Sequence, residues 1–191
     1  TSQSNVVIEN LWITDCISDY GGGLWIEGNP EVKTCGIMNN DATSSGGNVY
    51  VLSGNPIFSA GCNFNYGSAP FGAGVYCIDG SPEFDSCYFL SNNASDRGGG
   101  IRGRQISGYF TNCIFSNNTA SRGGAGHFQE SLNGLSSTFD TCYFQNNTAS
   151  SLGGGVANNS TANSLFQSCS FVNNTSTGLN GGQGSGGGMF N

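Results

Sequence analysis

Apolar side chains recur along this chain in a short fixed pattern: an apolar residue, a cysteine three positions later, and an apolar residue two beyond it. Phe84–Cys87–Phe89, Phe110–Cys113–Phe115, Phe139–Cys142–Phe144 and Phe166–Cys169–Phe171 are superposable, and Val32–Cys35–Ile37 is an earlier copy. In the third copy Phe58 stands four before Cys62, a one-residue insertion, and Phe64 keeps its place. Polar positions are equally regular. Asn40, Asn92, Asn118, Asn147 and Asn174 each lie five past a cysteine. The small residues Ala42, Ala94, Ala120, Ala149 and Ser176 follow two later, Ala69 fills the remaining copy, and glycine pairs or triplets come next. Side chains of an extended segment alternate between faces, so Cys-x-Phe sets both on one face of a short strand. Helical repeats are excluded by the glycines.

The cysteines Cys16, Cys35, Cys62, Cys87, Cys113, Cys142 and Cys169 follow one another at intervals of 19, 27, 25, 26, 29 and 27 residues. Short strands and glycine corners at this spacing predict an all-β, single-stranded parallel β-helix of about seven coils of roughly 26 residues. With strands about 4.8 Å apart, such a rod is about 34 Å long. Residues 1–191 then form one β-helix domain, either whole or cut from a longer chain. Stacking builds a cysteine column, two phenylalanine columns and an asparagine column. Each buried Phe contributes about 1.5–3 kcal/mol. Asparagine at a bend satisfies backbone groups of the neighbouring coil. Gly28-Asn29-Pro30, Gly54-Asn55-Pro56 and Gly80-Ser81-Pro82 read as turns.

Composition sharpens this picture. Glycine supplies 32 of 191 residues and charged residues only 9%, which alone would suit a disordered tract. Aromatics at 12%, placed in register, show that the chain has a core to bury. A net charge of −7 disfavours nucleic acid and anionic membrane surfaces as partners. No apolar run reaches the roughly 18 residues that span a bilayer, so no membrane insertion is expected.

Phe89-Leu-Ser-Asn92-Asn-Ala94 followed by Gly98-Gly-Gly-Ile101 resembles the repeat of the chlamydial-type polymorphic outer membrane proteins. The resemblance covers approximately residues 29–191 and is strongest from 81 onward. It implies a right-handed, pectin-lyase-like parallel β-helix at the cell surface or outside the cell, with a structural or adhesive role. The membrane barrel that follows the passenger in that family is not in this sequence.

Asn-x-Ser/Thr sequons stand at Asn93, Asn117, Asn146, Asn158, Asn159, Asn173 and Asn174. Asn117, Asn146 and Asn173 share one repeat position, which alternation turns toward solvent, so a row of N-glycans is one reading. Sequons generated by an Asn/Thr-rich turn are the other. The cysteine column has its own alternatives. Adjacent coils bring Cα atoms within disulfide range, whereas parallel Cβ vectors strain a bridge and favour reduced thiols acting as small apolar side chains. Cys77 lies outside the column, in a strand matched to Trp25 and Val51, paired or as an exposed thiol. No Cys-x-x-Cys occurs and His127 is the one histidine, which disfavours zinc.

No catalytic, cofactor-binding or metal-binding residue is assigned, and the chain is expected not to be an enzyme. A polysaccharide lyase would need clustered carboxylates, and here they are scattered. The basic residues are not scattered. Arg97, Arg102, Arg104 and Arg122, four of the five, fall in two consecutive repeats, followed by His127 and Glu130. On one face they would bind an acidic sugar or a carboxylate-bearing partner; a solvated surface is the other reading. Thr119, Thr148 and Thr175 also suggest an ice-binding array, against which their unequal intervals count. The termini carry no helical cap, so either the segment is cut from a longer surface protein or its ends stack head to tail on neighbouring copies into a filament. The sequence therefore predicts an extracellular structural rod stacking on itself, with carbohydrate recognition on the arginine face as the alternative.

Overall fold

The computed structural model describes residues 6–129, 136–159, 162–178 and 186–191. Four parallel seven-stranded sheets, here A to D, wrap one core, and each turn of the chain gives one strand to each sheet. In the fifth rung these strands are Tyr109–Thr111, Ile114–Ser116, Thr119–Arg122 and Gly126–Gln129. Seven rungs are related by six turns. The register Val7, Glu31, Ile57, Glu83, Tyr109, Thr138 and Leu165 advances by 24 to 29 residues per turn. This is the parallel β-solenoid that the repeat predicts.

Both phenylalanine columns form. In sheet A, Phe58, Phe84, Phe110, Phe139 and Phe166 stack with successive centroids 4.4–4.9 Å apart and rings within 8° of parallel. In sheet B, Phe89, Phe115, Phe144 and Phe171 stack at 4.4–4.9 Å with rings within 9° of parallel. Each stacked pair contributes about 0.5–1.5 kcal/mol beyond the area it buries. The inserted residue before Cys62 is absorbed in the turn, where Ala60 and Gly61 are both left-handed (φ 54° and 82°), and Phe58 keeps register with Phe84.

The asparagine column is a buried hydrogen-bonded ladder. The Asn92 amide donates to Phe64 O (2.7 Å) and to Asn118 Oδ1 (2.9 Å); Asn118 donates to Phe89 O and Asn147 Oδ1, and Asn147 to Phe115 O and Asn174 Oδ1. Each side chain thus satisfies the bend of the preceding rung. The third rung has Gly67 at this position, and Asn48 enters from the opposite corner to complete the ladder. Its Oδ1 accepts from Asn40 Nδ2, and its Nδ2 donates to Asn65 O and Asn92 Oδ1.

Candidate ligand-binding face

Sheets C and D meet at the glycine corner, and there the outward side chains of both sheets converge. The line on sheet D is Trp25, Tyr50, Tyr76, Arg102 and His127, paired in register from rung one to rung five. Opposite it, ending the strands of sheet C, stand Tyr20, Ser45, Phe71, Arg97 and Arg122. Contacts cross the corner: Tyr20 lies 5.9 Å from Trp25 and 5.2 Å from Tyr50, and the Arg102 guanidinium sits 4.4 Å over Phe71. The corner is therefore re-entrant, and side chains that point away from the core are covered by one another. Arg102 is 7% exposed and His127 4%.

The four arginines share this face. Arg97 and Arg122 are register neighbours, and Arg102 pairs with His127. Arg104 follows two residues beyond Arg102 on the same side of its strand and is exposed. Gln129 Oε1 accepts from Arg97 Nη1 (3.3 Å) and Arg102 Nη2 (3.2 Å). Asp96, 3.5 Å from Arg97 Nε, is the one acidic partner seen among the described residues; Glu130 lies outside them. Burial, then the charges of Arg102, Arg97 and Arg122, hold His127 down at about 3, so the imidazole is neutral at physiological pH. Burial likewise lowers Arg102 from its usual value. Arg97 Nε, Arg102 Nε and His127 Nδ1 are buried without hydrogen-bond partners, as is Ser107 Oγ elsewhere. Such groups are costly at about 1–3 kcal/mol each, less for Arg97 Nε, which keeps its ion pair with Asp96.

The other predicted positions separate by geometry. Asn93, Asn117, Asn146, Asn159 and Asn173 are exposed. Asn117, Asn146 and Asn173 face solvent because they occupy left-handed turns (φ 57°, 53° and 53°), not because of strand alternation. An N-glycan core is wider than the about 4.8 Å strand spacing, so adjacent members of this line exclude one another. Asn174 donates into the ladder, to Phe144 O, and Asn158 is buried and donates to Asn191 Oδ1; a glycan on either would break these bonds. The threonine line is in register, Thr119 to Thr148 to Thr175, so unequal intervals do not disrupt it.

All eight cysteines are free thiols. In the column, the Cys62, Cys87, Cys113 and Cys142 thiols each donate to a carbonyl of the preceding rung, that of Val32, Phe58, Phe84 and Phe110 respectively. Cys77 corrects the expectation drawn from spacing. Its strand partner is Val51, which pairs with Ile26 rather than Trp25, so Cys77 points into the core and is fully buried. Burial pushes its thiol well up. Only Cys16 and Cys169 are partly exposed. A thiol reagent such as DTNB is accordingly expected to titrate at most these two in the folded protein and all eight in denaturant. Fewer than eight in denaturant without reductant would reveal bridges.

Residues 112–129 match the family model of the Chlamydia polymorphic membrane protein repeat. The match covers 18 of the 191 residues. The matched stretch is the fifth rung from its first turn onward, and it contains Arg122, His127 and Gln129. No curated protein and no solved structure gives a significant match. What sequence reading missed is the aromatic continuation of the arginine line. A signal for it exists in the repeat: Trp25, Tyr50, Tyr76, Arg102 and His127 each stand four after the first corner glycine, and Tyr20, Phe71, Arg97 and Arg122 immediately before it.

Proposed function

We propose that this chain is part of a cell-surface protein and binds acidic carbohydrate through the arginine-bearing corner of the solenoid. The observation that carries the reading is the concentration of Arg97, Arg102, Arg104 and Arg122 in two adjacent rungs of a chain with net charge −7. Elsewhere the negative surface repels anions, so this face is where an anionic ligand is steered. Planar guanidinium groups recognise carboxylate or sulfate through two parallel hydrogen bonds. Arg97 and Arg122 are partly exposed and Arg104 is exposed, with the buried Arg102 behind them. The surface setting is supported by the matched repeat, which is named for membrane proteins.

Binding of hyaluronan and polygalacturonate, with dextran as the uncharged control, tests the reading. Wild type is expected to bind the acidic polymers, to release them as salt rises, and to ignore dextran. Arg97→Ala and Arg122→Ala are each expected to weaken binding about tenfold, the loss of one charge-assisted contact. Equal binding of dextran, or no binding of either acidic polymer at low salt, would overturn the proposal.

A further inference from the structure

We propose that the aromatic line of rungs one to three and the arginine cluster of rungs four and five form one extended site, in which a linear acidic glycan lies parallel to the axis of the solenoid. This rests on the acidic-carbohydrate reading above and adds the polymer's length, direction and second recognition element.

The line is continuous in register but open only at its ends. Trp25, Tyr50, Tyr76, Arg102 and His127 are consecutive partners on sheet D. Trp25 is exposed, whereas Tyr50, Tyr76, Arg102 and His127 are buried and form the packed floor between Tyr20 and Trp25 at one end and the partly exposed Arg97 and Arg122 at the other. Trp25 and Tyr50 rings lie 4.7 Å apart, tilted by 36°, and Tyr50 and Tyr76 lie 5.5 Å apart. Arg102 joins the two halves. Its guanidinium covers Phe71 at 4.4 Å and approaches the Tyr76 ring at 5.2 Å, so the cationic cluster begins where the aromatic line ends. Five rungs at about 4.8 Å give a track about 19 Å long, which exceeds a single sugar and suits an oligosaccharide.

The two halves complement different parts of such a ligand. A pyranose ring has apolar C–H faces and a polar rim. Aromatic side chains offer apolar faces with a polar tip, and Tyr and Trp are rigid enough to do so with little loss of side-chain freedom. Tyr20 (41% exposed) and Trp25 (47% exposed) present such faces at one end of the track. At the other end Arg97 and Arg122 meet a carboxylate. A polymer of alternating uronate and uncharged sugars satisfies both, whereas an isolated anion uses only the arginine end.

Hyaluronan oligosaccharides of increasing length, measured by calorimetry, separate the possibilities. Affinity is expected to rise with length until the track is filled, and Trp25→Ala is expected to remove about 5- to 10-fold of that gain while leaving the shortest binding oligosaccharide unaffected. In a Trp12→Phe background, where Trp25 is the remaining tryptophan, long oligosaccharides should change its fluorescence and short ones should not. Melting curves of each variant check that the exposed substitutions leave the solenoid folded. Affinity that does not grow with length, or a Trp25→Ala variant indistinguishable from wild type while Arg122→Ala loses binding, would overturn the extended site and leave the arginine reading standing. Absence of binding at every length would overturn both.

Discussion

Asn118→Ala is expected to destabilise the solenoid by about 3–6 kcal/mol, while Asn117→Gly, one residue away, changes stability by less than about 1 kcal/mol. The Asn118 side chain is fully buried and makes four ladder bonds: it accepts from Asn92 N (3.0 Å) and Asn92 Nδ2 (2.9 Å) and donates to Phe89 O (2.8 Å) and Asn147 Oδ1 (3.0 Å). Alanine takes the side-chain partner from the Asn92 N–H and the Phe89 C=O in a region closed to water, and removes one bond each from the Asn92 and Asn147 amides, which keep Phe64 O and the Asn118 N–H. Each orphaned buried group costs about 1–3 kcal/mol, and relaxation recovers some of the sum. Asn117 is exposed and left-handed at φ 57°, a conformation glycine adopts without strain. The same exchange removes the Asn117 sequon, so a loss of intact mass larger than that of the exchange itself would also report glycan at that site. Urea denaturation of both variants beside wild type decides the contrast, and similar midpoints would show that the ladder does not hold the rungs together.

The fold was legible because its causes repeat. One period fixed strand length, corner position and the Phe84 to Phe166 and Phe89 to Phe171 columns, since stacking converts a repeat in sequence into a column in space. What breaks the repeat was not legible. Gly67 leaves a gap in the asparagine column, and Asn48 sits where the other rungs carry glycine or, at Ala125, alanine. Spacing gave no reason to connect them, yet Asn48 Nδ2 lies 3.2 Å from Asn92 Oδ1 across the core. Cys77 was misplaced by a single position, and in a strand one position exchanges inside for outside.

The candidate site shows the same division. That Arg97, Arg102, Arg104 and Arg122 fall close together followed from counting. Their setting did not, because a re-entrant corner buries residues that point outward, and alternation alone predicts exposure for them. Tyr50, Tyr76, Arg102 and His127 all lie below 8% exposure on the outer side of sheet D. Only the contacts across the corner, such as Arg102 over Phe71, account for this. The neutral state of His127 follows from that packing and from three arginines drawn from three strands, which no local motif encodes.

The glycines, alike in composition, are expected to differ most under substitution. Gly124→Ala should destabilise the solenoid by about 4 kcal/mol or more, in the range reserved for specific structural failure. Gly124 does not need a left-handed backbone. Its requirement is space: an added Cβ would stand 2.3 Å from Gly154 O, 2.7 Å from Thr148 O and 2.8 Å from Thr148 N. All three are backbone atoms of the next rung, so no side-chain rotation relieves the overlap. The sixth rung would have to move away, and the bonds from Gly124 N to Gly153 O and from Ala125 N to Gly155 O would lengthen with it. Gly28 is the counterpart. Its φ is +102°, but an added Cβ meets nothing within 4 Å, so Gly28→Ala is expected to cost only the conformational penalty of about 1–3 kcal/mol. In a solenoid each rung contacts only its neighbours, so hydrogen exchange should show the Gly124→Ala loss centred on rungs five and six. A Gly124→Ala variant as stable as Gly28→Ala would mean that the rungs tolerate local separation, and that the glycine corners serve backbone conformation alone.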